Sequence, residues 1–161
     1  MNVNTDLVKG DDLYLYIYSG GTGSTPVVVA FATSCELSIN QETIDTSNKM
    51  SCRWNSNLAG KSSYTISADA LYTQASGAYS FDSMMAAMVA GTALPWAVGQ
   101  AVEAGTGETC ETRTFALDTN KQYYKGEGLI TSLSLSAGNN AVASCSITIT
   151  GSGEITPVAG A

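Results

Sequence analysis

The chain has 161 residues, the size of one domain, so a single core is expected. Charged residues make up 13%, about half the share of an average soluble domain, while 44% are hydrophobic and 16 are glycine. Seven Lys and Arg against fourteen Asp and Glu leave a net charge of −7, which argues against gripping nucleic acid by phosphate neutralisation.

Histidine is absent, and with it the usual general base, the commonest metal ligand and every His-dependent triad. Cys35, Cys52, Cys110 and Cys145 lie far apart without a CxxC pair, so neither a zinc cluster nor a redox motif is written here. The start MNVNTDLVKG has no apolar h-region, so reduced thiols in a cytosolic product are expected. No apolar run approaches the ~18 residues that span a bilayer.

Period-two alternation is the dominant signal in chain order. Leu13, Leu15 and Ile17 alternate with Tyr14, Tyr16 and Tyr18, which predicts a strand buried on both faces. GGTGS at Gly20 to Ser24 reads as a flexible turn. Val27 to Ile39 is predicted as one long half-buried strand, bent midway, with Val27, Val29, Phe31, Cys35, Leu37 and Ile39 on its apolar face. From Asn40 to Ser63 the chain is polar and turn-rich, and a long protruding loop is expected. It carries Trp54, read either as buried by its own loop or as an intersubunit contact.

Tyr64 to Tyr72 reads as a strand. Phe81, Met84, Met85, Met88 and Val89 then recur at helical spacing, which predicts one helix over about Ser80 to Ala90, docked by this stripe, capped by Ser80 and ended by Gly91. Leu94 to Val98 looks extended, with Pro95 suited to an edge or a strand start. Arg113, Phe115 and Leu117 mark a weaker strand. A hairpin closes the pattern: Leu129, Thr131, Leu133 and Leu135 on one face of its first strand, then Gly138, Asn139 and Asn140 at the turn. In the second strand Cys145, Ile147 and Ile149 point inward against outward Ser144, Ser146, Thr148 and Thr150, and a Gly-, Thr- and Ala-rich tail follows. This order predicts a mainly β domain, an antiparallel sandwich or barrel with one flanking helix.

Chemical motifs are sparse. Gly60, Lys61 and Ser62 supply the end of a phosphate loop, but Asn55 stands where its first glycine belongs and the following residues read as strand. Glu36 with Glu42 and Glu108 with Glu111 read as solvated acids, not a glycosidase pair. Asp11 and Asp12 lack the alternating ligands of a calcium loop. Neither an enzyme nor a cofactor is expected.

Three blocks carry a resemblance: ATSCELSINQETIDTSNKMSCRWNSNLAGKSSYTISADALY (Ala32 to Tyr72), YSFDSMMAAMVAGTALPWAVG (Tyr79 to Gly99) and YYKGEGLITSLSLSAGNNAVASCSITITGSGEI (Tyr123 to Ile155). In this order they resemble the major tail tube protein family of long-tailed bacteriophages. The resemblance implies a virion structural protein whose hexameric rings stack into a tail tube that passes genome DNA. It implies that strands of neighbouring subunits join into an inner barrel, and that a long loop and flexible terminal arms bridge the rings. Tape measure, tail terminator and distal tail proteins are the implied partners. On this chain the ring-stacking loop is Asn40 to Ser63, with Lys49, Arg53, Trp54 and Lys61 as contacts. The strand bearing Tyr14, Tyr16 and Tyr18 is expected to cover its second face with the helix or a neighbouring ring. The Ser and Thr faces of the late hairpin are candidates for the lumen, where an acidic, hydroxyl-rich wall would let a polyanion slide. Two other readings are a tube subunit of a contractile injection system, which adds a sheath partner, and a surface β-sandwich binding or fimbrial module, which needs a secretion signal. Residues 1–30 and 99–122 carry no defensible motif.

Overall fold

The computed structural model describes residues 8–21, 23–29, 32–51, 53–73, 79–102 and 115–161. A 3₁₀ turn at Gly10–Asp12 leads into β1 (Leu13–Ile17), followed by β2 (Val27–Val28), β3 (Ala32–Asp45), β4 (Asn57–Leu71), helix α1 (Phe81–Ala90), β5 (Leu94–Gln100), β6 (Tyr123–Ser136) and β7 (Ser144–Val158). All seven strands belong to one sheet in the order β2-β1-β5-β6-β7-β4-β3, and every pairing between them is antiparallel. β1 and β3 stand near opposite ends of that order yet touch, so the sheet curls round its apolar face. The mainly β fold with one helix is as the sequence pattern predicts.

The enclosed core draws Leu15 and Ile17 from β1, Tyr64, Ile66, Ala68 and Ala70 from β4, Trp96 from β5, Ile130 from β6, and Cys145, Ile147 and Ile149 from β7. Met84 plugs it from α1, with Phe81 and Ala87 packed at the rim. Full burial of a side chain of this size contributes roughly 1.5 to 3 kcal/mol. The helix ends as predicted: Gly91 is left-handed at φ 63°, its N–H bonds to Met88 and that of Thr92 to Ala87. Ser80 sits at the first turn without a side-chain capping bond, its Oγ lying 3.3 Å from the Ser83 Oγ instead.

A smaller cluster lies on the reverse face of β1 and β5, where Tyr16, Ala97 and Leu117 are buried among Tyr14, Tyr18, Val28 and Tyr123. The doubly buried strand is therefore real, but the chain itself covers its second face: Leu117 sits there, and Phe115 meets Tyr14 edge-on at 5.7 Å. This corrects the expectation of the helix in that place, because α1 lies on the Leu15 and Ile17 side. Among the described residues from Phe115 on, Leu117 forms one isolated bridge to Ala101; Arg113, Phe31, Cys52, Cys110, Glu108 and Glu111 lie outside the described residues.

Two further corrections come from strand lengths and bulges. The strand expected from Val27 to Ile39 is two strands, β2 and β3, on different partners, and β3 runs on to Asp45. In β6 a bulge between Ile130 and Ser132 adds one residue opposite β7. Ile130, Leu133 and Leu135 thereby share the face of Ile149, Ile147 and Cys145, while Leu129 pairs with Thr150 on the other. Simple alternation had placed Leu129 with Leu133 and Leu135, and one inserted residue reverses that. Pro95 is the second residue of β5, an interior strand, with its carbonyl accepting from Tyr18. The tail from Gly151 is strand as far as Val158, opposite Tyr123, so it is no flexible arm there. Residues 1–7 lie outside the described residues.

Tyr64 and Trp96 meet edge-to-face at 5.5 Å across the core, and the Tyr64 hydroxyl donates to the Glu127 carbonyl. A Cβ on Gly151 would lie 2.3 Å from the Tyr64 ring, and one on Gly126 would lie 2.7 Å from its hydroxyl and 2.9 Å from Trp96. Gly151→Ala is expected to destabilise the domain by about 1 to 3 kcal/mol through overpacking, read as a lower urea midpoint at unchanged slope.

Candidate assembly surfaces

The outer face of β3, β4, β7 and β6 is the most uniform surface of the fold. Register aligns Ser34, Asp69, Ser146 and Ser134 in one row and Glu36, Ser67, Thr148 and Ser132 in the next, with Ser38, Thr65 and Thr150 beyond. The alternation that aims Ile66, Ala68, Ile147 and Ile149 into the core aims these hydroxyls out. The Asp69 carboxylate ties three strands together, accepting from Ser34 Oγ at 3.0 Å and Ser146 Oγ at 2.5 Å. Ser146 first and Ser34 second hold the Asp69 carboxyl below the ordinary carboxylate range. Thr131 Oγ1 lies 3.0 Å from Thr150 Oγ1, and Ser38 donates to Glu36 at 3.3 Å. The alternation of the late hairpin accounts for half of this face; β3 and β4 supply the other half, which only their register reveals.

Among the described residues, neither margin of this face has a strand partner. β3 is hydrogen-bonded to β4 on one side alone, and β6 from Leu129 to Ser136 pairs only with β7, because β5 reaches no further than Gly128. Unpaired strand edges template pairing with another chain.

The segment expected as a long loop is a β-hairpin arm. β3 and β4 stay paired out to Asp45 opposite Asn57, so only residues 46–56 form a loop. A bulge between Gln41 and Thr43 places Gly60 and Lys61 opposite Glu42, where a Cβ on Gly60 would lie 3.0 Å from that of Glu42. Gly60, Lys61 and Ser62 are thus strand residues, without the helix a phosphate loop requires. Polar composition concealed these strands, since neither face is buried and no alternation is needed. The tip is held by hydrogen bonds: Ser47 N–H to Asp45 at 2.8 Å, Met50 N–H to Asn48 at 2.8 Å, Asn48 N–H to Ser51 at 2.9 Å and Ser56 N–H to Ser47 at 3.0 Å. Trp54 stands 83% exposed and Met50 90%, so the loop does not bury its own tryptophan. Lys49, Arg53 and Lys61 are exposed as well.

The other expected contact residues separate. Tyr16 is fully buried, a core residue, whereas Tyr14 and Tyr18 are half-buried on the same strand. Burial first and the neighbouring Tyr123 second raise the Tyr18 hydroxyl. On α1, Phe81 and Met84 dock but Met85 and Met88 do not: Met85 is 48% exposed, and Ala87 takes the inward position. The apolar stripe is wider than the face the core accepts, so periodicity overcounted the docking residues.

A groove of about 440 Å³ opens between β5, β6 and the far part of β7, lined by Tyr18, Trp96, Lys125, Glu127 and Glu154 among others. Its lining mixes both charges, and the Trp96 indole N–H beneath it is buried without a hydrogen-bond partner. Among the described residues there is no cluster of three or more metal-ligating side chains. Cys35 and Cys145 are free thiols on the core face of β3 and β7, and burial raises both, Cys35 to about 11.

A curled antiparallel sheet with a hydroxyl face, two margins without a strand partner among the described residues and an exposed arm fits a structural β-protein. A comparison with families of known proteins agrees: residues 7–157 match the model described as phage tail tube protein, and the chain belongs to that family. Among solved structures it is similar to the tail of an empty gene transfer agent particle refined with C6 symmetry (TM-score 0.72, 20% identity, 93% of this chain and 98% of that chain covered). It is also similar to the SPP1 tail tube (TM-score 0.69, 12% identity, 95% and 80% covered). A chain of the anti-feeding prophage baseplate matches less well (TM-score 0.61, 13% identity, 95% and 95% covered). No curated protein matches the sequence.

Two titrations test this chemistry. With its pKa near 11, Cys35 is expected to react with iodoacetamide at pH 8 about a hundredfold more slowly than an unperturbed thiol, followed by peptide mass spectrometry. Because the folded pKa of Asp69 is depressed, its stabilisation is present above ~3.9 and is lost as pH falls through the lower folded value. The stability difference between wild type and Asp69→Asn is therefore expected to shrink between pH 6 and pH 2.5 in denaturant titrations.

Proposed function

We propose that this chain is the repeating subunit of a hollow phage tail tube, in which copies join edge to edge into hexameric rings, the rings stack, and genome DNA passes through the bore. The observation that carries this is the four-stranded hydroxyl face bounded by two open edges. Pairing β3 of one copy with Leu129–Ser136 of the next extends the sheet without a break, and six copies close it. The C6 symmetry used for the gene transfer agent tail supports the same number here.

In that arrangement the hydroxyl face is the lumen wall. It presents Asp69 and Glu36 with no Lys or Arg among Ser34, Ser67, Ser132, Ser134, Ser146 and Thr148. Phosphates find no cation to release counterions against, so the genome slides past without being held. The role needs no catalytic group and places the protein in the virion tail after synthesis in the host cytoplasm. Tape measure protein inside the bore, with terminator and distal tail proteins at the two ends, completes the expected set of partners. The arm, with Lys49, Arg53, Trp54 and Lys61, bridges successive rings.

Purified protein is expected to form rings and hollow tubes in negative-stain micrographs, and a strictly monomeric protein at high concentration would sink the proposal. The lumen assignment is tested separately with Ser67→Lys plus Thr148→Lys. Tubes should still form but retain double-stranded DNA, with retention weakening steeply as salt rises; unchanged DNA passage would place this face elsewhere.

A further inference from the structure

The arm ends in a knob that the fold keeps open, and the far end of the molecule carries a surface of matching character. Between Thr46 and Ser56 the only charges are Lys49 and Arg53, and the only large apolar side chains are Met50 and Trp54, both exposed on a tip fixed by its own hydrogen bonds. Such a tip gains nothing from its own core, so its ordered shape suits a partner. β4 gives the direction: the arm leaves the fold beyond Tyr64, whereas Leu71, at the other end of β4, pairs with Ser144 beside the β6–β7 turn. α1 begins at that other end, with the Phe81 ring against Tyr72 at 6.0 Å. There α1 turns Met85, Met88 and Val89 outward, and Leu135 and Val142 are exposed at the turn. Asp82 is the single charge of α1, and residues 137–143 carry none, so this surface has an acid and no base.

We infer that the knob of one copy docks on the outward face of α1 in a second copy, Trp54 and Met50 covering Met85, Met88 and Val89 while Lys49 or Arg53 pairs with Asp82. Exposed tryptophan and arginine are the residue types that anchor interfaces, and the charges are complementary. Knob and receptor are different surfaces at opposite ends, so the contact is heterologous and repeats head to tail without closing. That is the symmetry stacked rings need, and the inference rests on the tube reading above. Every copy carries both halves, so a column of rings leaves an unfilled knob at one end and an unfilled receptor at the other.

The test uses the full chain assembled into tubes from a mixture of isotope-labelled and unlabelled copies, with p-benzoylphenylalanine in place of Trp54. Irradiation is expected to join position 54 of one copy to residues 82–89 of another. Tubes that form but crosslink elsewhere overturn the docking and leave the tube subunit intact; a wild-type chain that makes neither rings nor tubes overturns both. Val89→Lys supplies a second reading, since Val89 is 84% exposed and its replacement should leave the melting curve unchanged. The concentration needed for tubes is expected to rise at least about tenfold, and tubes at the wild-type concentration would refute the inference even if the Trp54 replacement blocked assembly. Asp82→Lys is expected to impair stacking and to be rescued by Lys49→Glu with Arg53→Glu.

Discussion

Contact between the Tyr64 ring and the Trp96 indole joins two parts of the sheet that hydrogen bonds alone would leave free to splay. Tyr64 belongs to β4, on the wide hydroxyl-faced portion, and Trp96 to β5, three strands away in the sheet order. Their meeting depends on Gly126 and Gly151, whose missing side chains are the space the rings occupy. Gly126, Gly128 and Gly151 are therefore packing residues in a curled sheet, and they explain why a strand pair tolerates so many residues of low strand propensity. Once the sheet is curled, one apolar face is enclosed, one ten-residue helix suffices to plug it, and the opposite face of β3, β4, β7 and the later part of β6 is left to solvent or to other copies, whereas that of β1 and β5 is covered around Leu117.

That division explains the unusual composition. A soluble domain commonly keeps its surface wet with charge, and here hydroxyls do so over four strands, with the acids spaced among them. Hydroxyl rows such as Ser34, Asp69 and Ser146 hydrogen-bond across the sheet and stiffen it without adding a positive group. The basic residues are displaced instead, three of the seven lying between Lys49 and Lys61 on the arm. Segregation of charge thus gives the molecule an acidic, hydroxyl-rich face and a basic tip, surfaces suited to different neighbours.

Much of the fold was legible because one face is buried. Cys145, Ile147 and Ile149 had to alternate with Ser146 and Thr148, and Leu15, Tyr16 and Ile17 had to be covered from both sides of the sheet, as they are. Gly91 marked the end of α1 because a left-handed residue without a side chain is easily accommodated there. Where neither face is buried the pattern fails, which is why residues 40–45 and 57–63 read as loop although they are strand. The bulge at Thr131 and the partial docking of α1 share another cause. Both depend on which neighbour a side chain meets, and periodicity counts positions, not neighbours.

The sequence by itself determined the class of protein: a histidine-free, acidic, alternating β-chain with one amphipathic helix, carrying ordered blocks that resemble tail tube proteins. Local stereochemistry and the cost of leaving apolar groups in water are enough to dictate that much. Tertiary structure decided the rest, namely the strand order, the length of the arm, the partner that covers Tyr16, the union of β3 and β4 with the late hairpin into one hydroxyl face, and the exposure of Met85, Met88 and Trp54. These depend on pairings between residues far apart in the chain, Asp69 with Ser146 or Tyr64 with Gly151, and such pairings leave no periodic trace in either partner alone.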